Sequence, residues 1–338
     1  MQSFWSRSVA VLVLGLVACV SESPTGSQTS PAVSSPAIEK SFAPEWSPAM
    51  SIELAPPGAS ANFNTAALDG CPLPSRDGKL FFMASTRAGG NGGRDIWVSA
   101  RASKSKPWGE PTLVGEPIST VHNDFCPMLA GDGATFYFVS DRPGGCGGTD
   151  IYVSRRNDDG SFTEPKNLGC HVNSEGNEEG PVPGNEPKRG RVLYFSSARA
   201  GGYAADAPGV APDFDLYVAT WRAGAFRAPE LVDGVNSADQ DGQPFLRDDS
   251  RELYFYSNRP GGLGGNDIWV ASRNKAKQAW GAPLNLGPNV NSAAPETRPS
   301  LSSDGTLLYF GTTRAAPVGE GSSDVFVSSR ARVRRGGE

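Results

Sequence analysis

The chain has 338 residues, a formal net charge of −5, and 41 glycines and 28 prolines. The acidic balance argues against a nucleic-acid partner, which calls for a basic face. The glycines and prolines recur at regular intervals, which excludes a low-complexity chain and suits a single closed β-architecture of about 300 residues.

At the N-terminus, Arg7 precedes a short apolar run, Val9 to Leu16. A membrane-spanning helix needs about 20 apolar residues, so residues 1–18 read as a signal peptide to be set aside from the fold. The string Leu16-Val17-Ala18-Cys19 resembles the lipobox of bacterial lipoproteins. That resemblance implies lipidation at Cys19 and attachment to a membrane. Val20 favours the outer membrane, with the protein facing the periplasm or the surface. Residues 19–40 are mostly Ser, Thr, Pro, Gly and Ala, a composition expected to stay disordered and to act as a tether with a reach of roughly 25 Å.

Residues 41–333 repeat one unit five times, and residues 334–338 form a tail. Each unit carries a Leu-Tyr-Phe-like strand, a Ser-x-Arg, a glycine-rich loop and an Asp-Ile-Trp-Val-like strand. The arginine recurs at Arg87, Arg142, Arg199, Arg259 and Arg314, in steps of 55 to 60 residues. The aspartate recurs at Asp95, Asp150, Asp215, Asp267 and Asp324, and a proline opens each unit at Pro72, Pro127, Pro181, Pro244 and Pro299. In the second unit, strands are expected at Pro127 to Leu129, Thr135 to Ser140, Asp150 to Arg155 and Ser161 to Leu168. Asp-Gly pairs at 77–78, 132–133 and 304–305 mark the turn between the first two strands. Four short strands per repeat predict an all-β fold, a five-bladed β-propeller of four-stranded blades. The last unit lacks a fourth strand. Trp46-Ser47-Pro48-Ala49 matches Trp108-Gly109-Glu110-Pro111 and Trp280-Gly281-Ala282-Pro283, so an N-terminal strand is expected to complete the last blade.

The strings Ser140-Asp141-Arg142-Pro143-Gly144-Gly145 and Ser257-Asn258-Arg259-Pro260-Gly261-Gly262 resemble WD40-like propeller repeats of the TolB type. The likeness covers residues 44–330 and implies the fold together with a docking role for varied partners. No part of the chain resembles the OmpA-like module that often accompanies such repeats.

The polar residues gather on the face that carries the inter-blade and glycine-rich loops. An acid stands three residues before each opening proline: Asp69, Asp124, Glu178, Asp241 and Glu296. With the repeated arginine and aspartate this gives an acid–Arg–Asp set per blade, expected to be an arginine bridging two carboxylates and locking the loops. Fivefold copying argues for structure rather than chemistry. The Val-Asn-Ser triplets at 172–174, 235–237 and 290–292 suggest turn chemistry. The third unit has a longer loop with Tyr203, Asp206 and Asp213, a candidate binding element. Four cysteines share one sector of this face; of their three possible pairings, Cys71–Cys126 and Cys146–Cys170 are favoured. His122 and His171 lie nearby, but the spacing lacks a paired-cysteine zinc motif.

No catalytic residue, metal or cofactor is assigned. The expected role is an envelope-anchored, non-enzymatic binding or scaffold propeller for a protein or glycan. The alternative is a glycoside hydrolase-like enzyme, or a cation-binding propeller, using channel-mouth carboxylates. Hydrolysis needs two acids roughly 5–10 Å apart that no arginine neutralises.

Overall fold

The computed structural model describes residues 45–60, 62–203, 212–314 and 321–332. Cys19, residues 1–18, the tether 19–40, Asp206 and the tail 334–338 lie outside the described residues.

The chain opens with β1 (Met50–Ser51) and then builds its blades in order. Blade 1 is β2 (Asp69–Pro74), β3 (Leu80–Ser85), β4 (Asp95–Ala100) and β5 (Thr112–Leu113). Blade 2 is β6 (Asp124–Leu129), β7 (Thr135–Ser140), β8 (Asp150–Arg155) and β9 (Lys166–Asn167). Blade 3 is β10 (Glu178–Glu186), β11 (Gly190–Ser197) and β12 (Asp215–Arg222), with the short β13 (Ala225–Phe226) and β14 (Glu230–Leu231) both paired to β12. Blade 4 is β15 (Asp241–Leu246), β16 (Glu252–Ser257), β17 (Asp267–Ser272) and β18 (Leu284–Asn285). Blade 5 is β19 (Glu296–Leu301), β20 (Leu307–Thr312) and β21 (Asp324–Ser329), completed by β1. All pairings within the blades are antiparallel, and the architecture is a five-bladed β-propeller.

Closure runs through the N-terminal strand, where Met50 pairs with Val327 and Ser51 with Phe326. Trp46 is buried and meets Tyr254 of blade 4 edge-on, with ring centroids 6.4 Å apart. The middle strands are covered on both faces by neighbouring blades. They therefore read as continuous apolar runs, such as Phe136-Tyr137-Phe138-Val139, rather than as alternating ones.

Two strand boundaries differ from expectation. The first strand of each blade starts at the acid rather than at the proline. The acid's N–H is already bonded to the preceding blade, as Asp124 N is to the Arg94 carbonyl at 2.7 Å. The fourth strands are short: β9 holds only Lys166–Asn167 of the expected Ser161 to Leu168. Pro165, just before it, has no N–H to offer a ladder.

Each first strand also bulges where the register shifts, after Gly70, Phe125, Glu179, Gly242 and Thr297. The residue at the bulge has positive φ in every blade: Cys71 48°, Cys126 47°, Gly180 60°, Gln243 46° and Arg298 58°. Four of the five are not glycine, so the surrounding packing overrides an intrinsic cost of about 1 kcal/mol each. Along the propeller axis these five residues line a cavity of about 40 Å³, room for a water molecule rather than a pore.

On the side away from the large loops, arginines ending the third strands stack on tryptophans: Arg101 on Trp108, Arg273 on Trp280 and Arg330 on Trp46, with 3.8, 3.8 and 4.6 Å to the ring centroids. Arg330 grips Glu252 of blade 4 with both nitrogens, at 3.1 and 2.6 Å, and Arg273 grips Glu186 of blade 3 at 2.5 Å. These latches tie one blade to the next. Burial opposes ionisation of Glu252, but the hydrogen bonds and charge of Arg330 more than reverse that and hold its carboxyl below the usual range.

Candidate functional site

The loop face has two layers, a repeated rim and an unrepeated axis. In the rim, Arg87 pairs with Asp69 at 2.6 Å, Arg142 with Asp124 at 2.7 Å, Arg199 with Glu178 at 3.4 Å and Arg314 with Glu296 at 3.2 Å; Arg259 pairs closely with Asp241. The acids are fully buried. The same arginines donate to a carbonyl of the inter-blade loop, as Arg142 Nη2 does to Ile118 O at 2.7 Å, and four of them send Nε to a serine hydroxyl. Loop and blade are thereby tied by one side chain. Burial pushes the carboxyls of Glu178 and Glu296 up despite the hydrogen bonds from Ser174 and Ser292.

The expected arginine bridge between two carboxylates is not what forms. Asp95, Asp150 and Asp267 make no ion pair among the described residues. Each instead turns Oδ2 toward its own glycine-rich loop: Asp95 accepts from Asn91 N at 2.8 Å, Asp150 from Cys146 N at 2.5 Å and Asp267 from Leu263 N at 2.5 Å. Asp215 accepts from Tyr203 N at 2.6 Å, and Asp324 from Gly321 N at 3.4 Å. The carboxylate occupies the space a side chain would need. A Cβ on Gly145 would lie 1.9 Å from Asp150 Oδ2, and one on Gly90 2.2 Å from Asp95 Oδ2. The arginine and the second aspartate thus do separate jobs.

The triplet asparagines work over a longer range than a turn. Asn173, Asn236 and Asn291 pair with the backbone N–H of Ile151, Leu216 and Ile268 at the start of the third strand, at 2.9, 2.8 and 2.8 Å. Cys71–Cys126 and Cys146–Cys170 are disulfide-bonded, with Cα atoms 4.9 and 5.3 Å apart. No group of three or more metal-ligating side chains occurs among the described residues, His122 and His171 included. In the third-blade loop, Tyr203 is exposed and Asp213 has a partner.

The axis is where the blades disagree. After the rim acid come Gly70-Cys71, Phe125-Cys126, Glu179-Gly180, Gly242-Gln243 and Thr297-Arg298. Glu179 accepts a hydrogen bond from Gln243 Nε2 at 2.5 Å and forms no ion pair among the described residues. Beside it, Tyr256 is pushed well above its ordinary pKa, first by burial and then by the charge of Glu179. Gly242 makes room for that ring, since a Cβ there would lie 2.2 Å from Tyr256 Cζ. Gln243 Oε1 and Arg298 Nε are buried without a hydrogen-bond partner among the described residues. Arg298, Arg94 and Glu179 all keep some exposure to solvent. From sequence, Glu179 reads only as part of an acidic loop with Glu175 and Glu178, and Gln243, Arg298 and Arg94 go unnoticed, yet a signal was there: variation at a few positions inside an otherwise constant repeat.

A cleft of about 300 Å³ lies on the opposite face between blades 5 and 1. Its aromatics, Trp108 and Tyr309, are each only 3% exposed and present no open ring to a ligand. The axis is therefore the stronger candidate.

No family model and no curated relative matches the chain. Among solved structures, it is similar to a xylan β-1,4-xylosidase from Bacillus halodurans, with 11% identity over 80% of this chain and 54% of that one, at a TM-score of 0.54. It is also similar to an α-L-arabinofuranosidase from Podospora anserina, with 11% identity over 86% and 98% of the two chains, at a TM-score of 0.51. A protein described as TolB from Agrobacterium tumefaciens matches with 16% identity over 82% and 80%, at a TM-score of 0.46. The likeness is to five-bladed propellers as a class and does not single out the TolB type. It also corrects the expectation of a non-enzymatic protein, because this fold carries glycoside-cleaving enzymes. The premise behind that expectation fails as well. Glu179 is an acid at the axis that no repeated arginine neutralises.

Proposed function

We propose that the protein is an envelope-anchored, glycan-processing propeller of the glycoside hydrolase kind, working at the axial mouth of its loop face. The observation that carries this reading is Glu179. Its carboxylate stands at the axis, held by the Gln243 amide rather than by a rim arginine. Glycosidic cleavage asks for a carboxyl that hands a proton to the leaving oxygen, near a second negative charge that supports the positive charge developing on the sugar. Glu179 fits the first role. Asp241 does not supply the second, because it is fully buried and paired with Arg259. Lipidation at Cys19 would hold the propeller at the outer membrane, and the TolB-like repeats fit an envelope setting.

The test is release of reducing ends from a panel of neutral and acidic polysaccharides. Wild type is expected to release sugar, and Glu179→Gln to lose at least roughly a hundredfold in rate at unchanged melting temperature. A wild-type protein that neither cleaves nor retains any polysaccharide of the panel sinks the reading.

A further inference from the structure

Two arginines near the axis break the pattern of every other arginine at the rim. Arg298 occupies the bulge position that holds Cys, Cys, Gly and Gln in the other blades. Arg94 precedes β4, where the other blades have Thr149, Phe214, Asn266 and Ser323. A guanidinium carries about five N–H donors. Yet neither side chain makes an ion pair or donates a hydrogen bond among the described residues, and Arg298 Nε is fully buried. The rim arginines, by contrast, each hold an acid.

The surroundings hold both groups in place without satisfying them. Arg94 lies over the Phe125 ring, 4.8 Å from its centroid, which supports the guanidinium face and leaves its N–H edge free. Arg298 reaches from blade 5 to blade 1, where a Cβ on Gly70 would lie 3.0 Å from its Nη1. Burial presses against the charge of Arg298; Glu179 offsets this and Arg94 adds to it. Burying an unpaired charge beside a like one is costly, and a bound anion would relieve both terms. The overall charge of −5 does not oppose this locally. Each rim acid is matched by its own arginine, so at the axis the two arginines Arg94 and Arg298 face the single axial carboxylate of Glu179.

We infer that the loop-face mouth above the water-sized axial cavity takes an acidic glycan, seating the carboxylate of a uronate residue on Arg298 and Arg94 while Glu179 faces the glycosidic oxygen. The planar fork of arginine matches a carboxylate in shape and number of donors. This inference rests on the glycan-processing reading and sharpens it by naming the substrate class.

The experiment is calorimetric titration of the mature chain with oligogalacturonate and oligoglucuronate, with their methyl esters, and with neutral arabinan and xylan oligomers. The acids are expected to bind and to weaken as salt rises. Esterification, Arg94→Gln and Arg298→Gln should each weaken binding at least roughly tenfold. Arg94→Gln, at a partly exposed position, keeps the test decisive if Arg298→Gln folds poorly. Neutral oligomers binding as tightly as acidic ones, with no effect of Arg94→Gln, overturns this inference and leaves the glycan reading standing. No binding of any sugar removes both. A peptide whose free C-terminal carboxylate binds through Arg94 and Arg298, where uronates do not, makes the partner a protein and also overturns it. Binding of none of these anions would mean that water alone hydrates the two arginines, and the inference falls.

Discussion

The rim and the axis of the loop face stand side by side and are built on opposite principles. At the rim, five blades repeat one arrangement of acid, arginine, serine and loop carbonyl, and the pairs between charged groups are closed. At the axis no two blades carry the same pair of residues, and Arg94, Arg298 and Gln243 hold donors or acceptors that the protein does not satisfy. Repetition marks what the fold needs five times. Open valences occur in both layers, since Oδ1 of the repeated Asp95, Asp150 and Asp267 is also buried without a partner among the described residues; at the axis they fall on unrepeated residues, and those mark what a ligand would complete.

The largest effect concerns the frame that both layers share. A variant lacking residues 41–54 loses β1 and Trp46, and leaves the outer edge of β21 unpaired. It is expected to aggregate and to lose cooperative unfolding, as read by light scattering and thermal melts. A monomeric variant with wild-type melting would show that closure lies elsewhere.

The comparison itself is tested by the sign of two arginine substitutions. Arg142→Ala strands the buried Asp124 without its counter-charge and should cost about 2–4 kcal/mol in urea unfolding. Arg298→Met removes a charge that has no partner, so it should be neutral or raise the melting temperature. Equal losses in both would erase the distinction between rim and axis.

A smaller effect is expected at the latch, which follows the rim's logic on the opposite face. The folded carboxyl of Glu252 is held below its unfolded value. Its contribution is therefore present above the unfolded carboxylate range and lost as pH falls through the folded value. Glu252→Gln should cost about 1–2 kcal/mol at pH 7 and flatten the acid limb of the stability profile. An unchanged acid limb would show that the pair contributes no pH-dependent stability.

Much of this molecule was legible in the sequence because its strands are short and its turns strongly marked. The Asp-Gly pairs, the spacing of the arginines and the match of Trp46 to Trp108 and Trp280 carried the blade count and the closure. The pairing of charges was harder. Arg142 lies 18 residues from Asp124, the acid it grips, and only eight from Asp150, which it leaves to the loop N–H groups. Sequence distance favours the wrong partner, and the fold of the loop decides. The latch between Arg330 and Glu252 joins residues 78 apart in different blades and leaves no periodic trace. The axis was missed for a different reason: a search for repeats treats positions that vary as noise.

Ring closure also orders the life of the chain before it is folded. Ser329 donates its backbone N–H to the hydroxyl of Ser47 at a sequence separation of 282. Contacts this distant form late, because the entropy of joining the ends must be met before any of them stabilises the structure. During synthesis the earlier blades can pair their own strands, each from neighbouring sequence. The segment from Trp46 to Ser51 has to wait as an unmatched edge until the last third strand emerges. Throughout that interval the chain carries an unpaired strand segment, and a chaperone that shields its N-terminal segment would act where exposure lasts longest.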